Sequence, residues 1–216
     1  MKVSILVCSF EGSKYLERTL SYITNTFPKD QFDFEILVDS EKKKTGLSNT
    51  PARYMKLFEQ STGDIIVKSD DDVRYYDNWF QHCYKYLCQD DKIAYIGPIS
   101  HYLMIKLGIQ HATSPRFPIE PDGVNAESVV SGMCWVFKRK LWVDFPYTMA
   151  AAKSWRLDSN YSAIFNKVGL KTCALNGSLI EHLGQDRFKG ICTDLPGKKP
   201  SRTFVSKHKN LDFKIK

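Results

Sequence analysis

Residues 62–73, TGDIIVKSDDDV, place three consecutive aspartates directly after a short apolar run. The run is typical of a buried strand. Adjacent carboxylates repel one another, and a turn needs only one of them. In an extended chain Asp70 and Asp72 would point to the same side and Asp71 to the other. Such a pair suits Mg²⁺ or Mn²⁺. The alternative is an aspartate-rich turn before the next helix.

Two more strand-like runs precede the aspartates. Residues 2–10, KVSILVCSF, and residues 34–40, FEILVDS, are apolar and rich in β-branched side chains. Residues 13–26, between these two runs, and residues 50–63, between the second run and the aspartates, have the helical spacing of apolar residues. The alternation predicts an α/β fold with a Rossmann-like, mostly parallel sheet flanked by helices. Ligands bind such sheets at the carboxyl ends of the strands, where residues 9–12, Asp39 and the aspartates are predicted to meet.

The second half of the chain is less regular. A helix is predicted after Asp77, which would cap it as Ser13 would cap the first helix, and a strand at IAYIG, residues 93–97. Residues 98–128 contain four prolines and are predicted to be a long loop or insert. A strand leading into a short helix, a helix ending at Gly169 and a strand or hairpin ending at His182 complete the pattern.

The length of 216 residues fits one domain. We expect that domain to span residues 1–197, with a nucleotide- and metal-binding half (1–97) and an acceptor half (98–197). Residues 198–216 form a tail that holds seven Lys or Arg and one Asp, and so carries most of the formal charge of +7. Such a tail suits an anionic partner, and the alternative is a solvated end.

Six cysteines occur, none in C-x-x-C spacing, so a zinc site is not predicted. No stretch has the pattern of a signal peptide or the length of a membrane span. We therefore expect a cytoplasmic protein with reduced thiols.

The ordered set VSILVCSFEG, FEILVDSEKK, TGDIIVKSDDDV, GMCWVFKR, SWRLDSNYSAIFNKVGLKT and SLIEHLG resembles the family-two nucleotide-sugar glycosyltransferases of the GT-A fold. The resemblance covers about residues 2 to 184. It implies a transferase that uses a UDP-sugar donor and a divalent metal, Mn²⁺ or Mg²⁺. The implied metal ligands are Asp70, Asp72 and His182, although a strand-end histidine is also often a surface residue. The implied nucleotide-sugar site includes Cys8, Ser9, Phe10, Glu11, Asp39, Arg53, Asp70 and Asp71. Gly132 and Trp135 are candidates to line the sugar or acceptor pocket, and the basic residues Arg187, Lys199 and Arg202 are candidates to hold the diphosphate.

Asp158 matches the position of the catalytic base of the family. An inverting transfer needs a carboxylate that accepts the proton of the acceptor hydroxyl. The helix dipole at the start of its helix would keep Asp158 ionised. Its alternative role is that of a helix cap. Similarly, Asp39 could be only a turn residue, and Trp135 could belong to the core.

The acceptor is the least determined part. One hypothesis is a hydroxymethylated pyrimidine in DNA, as in some phage-encoded glycosyltransferases, because the basic tail contains interleaved aromatic residues. The other is a surface glycan or a lipid-linked sugar. A catalytically silent module that binds a sugar nucleotide or nucleic acid is the non-enzymatic alternative. A nucleotidyltransferase is disfavoured, because CSFEGSKY after the first strand lacks a glycine-rich, basic phosphate loop.

Overall fold

The computed structural model describes residues 1–10, 13–41, 50–99, 118–126, 130, 132–144 and 157–183, without the side chains of 144 and 157–160. Met1–Leu183 forms one compact unit. The second unit, Gly184–Lys216, lies outside the described residues, as does the predicted boundary at residue 197.

The first half alternates strands and helices as predicted. Its elements are β1 (Lys2–Phe10), α1 (Leu16–Thr26), β2 (Asp33–Glu41), α2 (Thr50–Gln60) and β3 (Ile65–Asp70). β1 pairs in parallel with β2 on one side and with β3 on the other. The helices are the crossovers that this parallel arrangement requires.

In the described part of the second half there are six strands and three helices. They are β4 (Val73–Tyr75), α3 (Trp79–Gln89), β5 (Ile93–Gly97), β6 (Val124–Ala126), β7 (Cys134–Lys138), α4 (Arg139–Asp144), α5 (Leu157–Lys167), β8 (Lys171–Leu175) and β9 (Ile180–His182). The main sheet has the order β2-β1-β3-β7-β5-β8-β6. β7 and β6 run antiparallel to their neighbours, while the other five strands share one direction. The prediction of a mostly parallel α/β sheet is confirmed.

Both faces of the main sheet are covered, which explains why its central strands are apolar throughout. Alternate residues of β1 enter two different core clusters. Val3, Ile5 and Val7 pack on the face that also buries Ile23 of α1 and Phe80 of α3. Leu6 and Cys8 pack on the opposite face, with Leu57 of α2 and Phe165 of α5. The sheet is therefore the middle layer of three.

β4 and β9 form a separate two-stranded antiparallel sheet, in which Val73 pairs with His182. This pairing was not predicted. It brings the end of the described chain back to the residues that follow β3.

Two predicted helix caps are wrong. α1 begins at Leu16 after Tyr15, and α3 begins at Trp79 after Asn78, with no side-chain cap bond at either position. Asn78 instead adopts a left-handed conformation, φ 62°. Among the described helices, none is both long and apolar enough to cross a membrane.

Candidate active site

Three strands end side by side at the carboxyl edge of the sheet. Cys8 of β1 is paired with Asp39 of β2 on one side and with Asp70 of β3 on the other. The predicted meeting of Asp39 and the aspartates at one edge is thus observed. Parallel register delivers both carboxylates to one level of the sheet, with one strand between them.

Arg53 of α2 lies against the ends of β1 and β2. Its guanidinium donates hydrogen bonds to the backbone carbonyls of Ser9 and Asp39. Its Nε lies 3.5 Å from Oδ2 of Asp39 and 3.3 Å from Oε1 of Glu41. The side chain of Arg53 is only 13% exposed, so these charges are held together out of bulk water. Arg53 therefore holds the ends of β1 and β2 together and places a positive charge beside the Asp39 carboxylate.

Asp70 is partnered by a buried lysine. Nζ of Lys68 donates to Oδ1 of Asp70 over 2.5 Å and also to the carbonyl of Gly132. The hydroxyl of Tyr54 lies 3.5 Å from the same Asp70 oxygen and donates to the carbonyl of Ser69 over 2.6 Å. One carboxylate of the aspartate run is therefore neutralised from within the protein.

Asp71 connects the aspartate turn to β1 and α1. Its Oδ2 accepts a hydrogen bond from Oγ of the buried Ser9 over 2.6 Å. Its carbonyl accepts one from Oγ1 of Thr19 over 2.9 Å. The side chain of Asp71 thus has a structural partner.

Asp72 faces His182 of β9. Its Oδ1 lies 3.2 Å from Nε2 of His182, and both side chains are about one-fifth exposed. Burial lowers the pKa of His182, but the hydrogen bond to Asp72 and the charges of Asp72, Asp70 and Asp71 outweigh it, so the pKa lies above its usual value. The strand β3 ends at Asp70, and Asp71 and Asp72 form a turn. The expectation of an extended segment with Asp70 and Asp72 on one side is therefore wrong.

The donor chemistry of this turn fits a divalent cation. Carboxylate oxygens are the ligands that Mg²⁺ and Mn²⁺ prefer, and imidazole nitrogen is compatible with Mn²⁺. Among the described residues, no three His, Cys, Asp or Glu side chains are arranged to hold a metal ion. Asp72 and His182 are adjacent, whereas Asp70 is directed at Lys68. The ligand set Asp70, Asp72 and His182 stays a prediction.

Two predicted binding residues belong to the core. Trp135 is fully buried and packs with its ring centroid 4.8 Å from that of Tyr95. Its assignment to the sugar pocket is wrong, because no part of the ring reaches the surface. The thiol of Cys8 is also buried, and burial raises its pKa to about 12. Its side chain therefore packs inside the protein. Gly132 is half-buried beside Lys68.

Several predicted residues cannot be placed. Asp158 lies in the first turn of α5, but its side chain is outside the described part of the chain. The remaining four, Glu11, Arg187, Lys199 and Arg202, lie wholly outside the described residues. Phe10 is described, as the last residue of β1, and is half-buried.

Sequence reasoning missed Lys68 and Glu41. A signal for each was present in the strand period of two. Lys68 lies two residues before Asp70, and Glu41 lies two residues after Asp39, so each shares a strand face with a predicted site residue. A charged residue inside an otherwise apolar strand, as Lys68 is, indicates a buried partner.

The three-layer α/β fold, with carboxylates at the ends of β2 and β3, is the GT-A fold of nucleotide-sugar glycosyltransferases. Residues 42–144 match the model of glycosyl transferase family 2. The predicted resemblance to the family-two glycosyltransferases is thereby confirmed. No curated protein matches it significantly in sequence.

Solved structures with this fold include three that were determined with manganese. GalNAc-T7 with UDP, GalNAc and Mn²⁺ matches with a TM-score of 0.59 and 11% identity, over 83% of this chain and 43% of that one. Mannosyltransferase PcManGT from Pyrobaculum calidifontis, with GDP-Man and Mn²⁺, matches with a TM-score of 0.53 and 14% identity, over 80% of this chain and 56% of that one. A variant of Drosophila β1,4-galactosyltransferase 7, with manganese, UDP-Gal and xylobiose, matches with a TM-score of 0.57 and 13% identity, over 97% of this chain and 82% of that one. The chain thus spans about half the length of the first two.

Proposed function

We propose that the protein is a metal-dependent, inverting glycosyltransferase that moves a sugar from a UDP-sugar to an acceptor hydroxyl. The observation that carries the proposal is the convergence of Asp39, Asp70 and Asp72 with His182 at one edge of the sheet. The family match and the donor-bound structures of the same fold support it.

Each side chain has a role in this proposal. Asp39, beside Arg53, would accept hydrogen bonds from the nucleotide base. Asp72 and His182, with Asp70 beside them, would hold Mn²⁺ or Mg²⁺. A bound cation supplies positive charge for the diphosphate that leaves. Asp158, in the first turn of α5, would accept the proton of the acceptor hydroxyl as its oxygen attacks the anomeric carbon.

The acceptor that we propose is a hydroxymethylated pyrimidine in DNA. The support comes from the sequence of the tail, in which seven basic residues are interleaved with Phe204, His208 and Phe213. Basic side chains contact phosphates, and aromatic side chains can stack on exposed bases. The alternative acceptor is a surface glycan or a lipid-linked sugar.

The first test is thermal stabilisation by nucleotides. A ligand that binds only the folded state raises the melting temperature. We expect UDP with Mn²⁺ to raise it by several degrees, and UDP alone, or GDP, CDP and dTDP with Mn²⁺, to raise it much less. Asp72→Ala should abolish the Mn²⁺-dependent part, because it removes an ionic ligand.

Asp33→Ala is the matched control, since Asp33 is exposed at the opposite end of β2. It should keep the full shift. If no nucleotide stabilises the wild-type protein, or if Asp72→Ala retains the shift, the proposed donor site is refuted. Binding without any hydrolysis or transfer would favour the silent binding module.

A further inference from the structure

Lys68 is a buried cation within the aspartate site. It is 3% exposed, although lysine is almost never buried without a charge partner. It precedes Asp70 by two residues on β3, so both side chains lie on the same face of the strand. Burying an ammonium group is costly, and its position therefore depends on the groups around it.

The groups around Nζ of Lys68 favour a positive charge. The Asp70 carboxylate is 2.5 Å away, and the Gly132 carbonyl accepts a second hydrogen bond. The ring centroids of Tyr54 and Trp135 lie 5.0 and 5.3 Å away. Aromatic faces attract cations, most strongly where water is excluded. The pocket thus holds a buried ammonium group beside the first of the three aspartates.

The positive charge of Lys68 disfavours the binding of a second cation nearby. A divalent ion at Asp72 and His182 would be repelled by Lys68, and it would compete with Lys68 for Oδ1 of Asp70. The repulsion is weakly screened because Lys68 is shielded from solvent. A nucleoside diphosphate would reverse the balance, since its own negative charges attract both cations.

We propose that Lys68 is a built-in counter-cation that weakens the site's affinity for a free divalent ion, so that the metal is retained only together with the diphosphate. The proposal rests on the proposed function and adds to it an order of binding. In this arrangement Lys68 is a positioning residue, because it acts through Asp70 and through its charge.

The test is calorimetric titration of the full chain with Mn²⁺, with and without UDP. Lys68→Met should lower the melting temperature, because Asp70 loses its partner, and yet tighten the binding of free Mn²⁺ by about tenfold or more. The factor by which UDP increases Mn²⁺ affinity should shrink accordingly. A residue with only a structural role would lower the melting temperature without tightening Mn²⁺ binding.

Lys138→Met is the matched control. Lys138 lies on β7 opposite Ile65, at the start of β3, and pairs with the exposed Asp91. The substitution Lys138→Met removes the same charge at the end of β3 opposite to Asp70, and it should leave Mn²⁺ affinity unchanged. Unchanged or weaker Mn²⁺ binding by Lys68→Met would overturn the proposal.

If Lys68→Met does not fold, Asp70→Asn decides the question. Because this substitution leaves the charge of Lys68 unopposed, it should weaken the binding of free Mn²⁺ more than the binding of Mn²⁺ in the presence of UDP. Equal losses with and without UDP would overturn the proposal. If wild type fails to bind UDP while Lys68→Met still tightens Mn²⁺ binding, the proposed function fails and the role of Lys68 stands.

Discussion

Glu35 accepts a cluster of hydrogen bonds at the edge of the sheet opposite the candidate active site. Its carboxylate accepts hydrogen bonds from Nζ of Lys2, Oγ of Ser4 and both the amide and hydroxyl of Thr62, at 2.6 to 2.9 Å. Burial raises its pKa, but these hydrogen bonds outweigh that effect and lower it to about 2. One side chain thus ties β1, β2 and the segment before β3 together.

Glu35→Gln should therefore destabilise the protein in a pH-dependent way. A lowered folded-state pKa stabilises the fold above the unfolded value of 4.5, and this contribution is lost as the pH falls towards 2. We expect a loss of about 1–2 kcal/mol at pH 7, after allowing for partial exposure. The difference from wild type should shrink between pH 4.5 and 2. Urea unfolding at pH 7, 4 and 2.5 measures it.

The control for this substitution is Glu59→Gln, on the exposed face of α2. It should change the free energy of unfolding by less than about 0.5 kcal/mol at any pH. A Glu35→Gln deficit that is equally large at pH 2.5 and pH 7 would show that shape, and not charge, accounts for it.

Single residues also show where sequence reasoning ends. Lys68, Trp135 and Cys8 all lie in apolar runs, and a strand period of two cannot say which buried neighbour each one meets. Lys68 donates to the carbonyl of Gly132, which is 64 positions away in the sequence. The two residues meet because β7, which follows Gly132, pairs with β3. Such contacts depend on the order of strands, which local patterns do not determine.

Among the elements, the segment between α2 and β3 packs closely against β1. A Cβ atom built on Gly63 would lie 2.5 Å from the backbone nitrogen of Ser4. The amide of Gly63 donates to Oγ of Ser4 over 2.7 Å, which holds the two backbones together. Gly169, after α5, has φ +80° but open space around it.

Gly63→Ala should therefore cost more stability than Gly169→Ala. The first forces the backbone before β3 away from β1, which we expect to cost about 3 kcal/mol or more. The second meets only the backbone strain of a left-handed residue, about 1 kcal/mol. Chemical denaturation of both variants gives the comparison. Equal losses would mean that β1 and the Gly63 segment can separate at little cost.

The elements of the first half were predictable because each has one strong period. Residues 2–10 are a strand and 50–60 a helix, as predicted, and Gly63 follows the helix. The position of β7 between β3 and β5, antiparallel to both, was not predictable. The sequence of its five residues does not indicate whether the strand pairs in parallel or antiparallel. β4 and β9 have three residues each, too few to show alternation.

For the whole molecule, charge is distributed unevenly along the sequence. Residues 198–216 carry a large positive excess, and the remainder is nearly neutral. Phosphate contacts by lysine and arginine release counterions, so binding that depends on them weakens as salt rises.

Deletion of residues 199–216 should weaken binding to DNA that contains hydroxymethylated pyrimidines. We expect a loss of tenfold or more at low salt, and a shallower dependence of affinity on salt concentration. Fluorescence anisotropy with labelled oligonucleotides measures both. Replacement of the aromatic residues Phe204 and Phe213 by alanine, with all charges kept, separates stacking from electrostatics. If the shortened protein binds DNA as well as the full chain does, the tail has no part in acceptor recognition.

The small sheet of β4 and β9 also bears on how the protein is made. It joins residues that are far apart in sequence, as the hydrogen bond from Tyr76 to Glu181 across 105 positions shows. A ribosome delivers the aspartate turn long before it delivers His182, and contacts of such separation form late and slowly. A nascent chain can therefore complete the pairing of β1 with β2 and β3 while Asp72 still lacks His182, so synthesis itself delays the assembly of the candidate site.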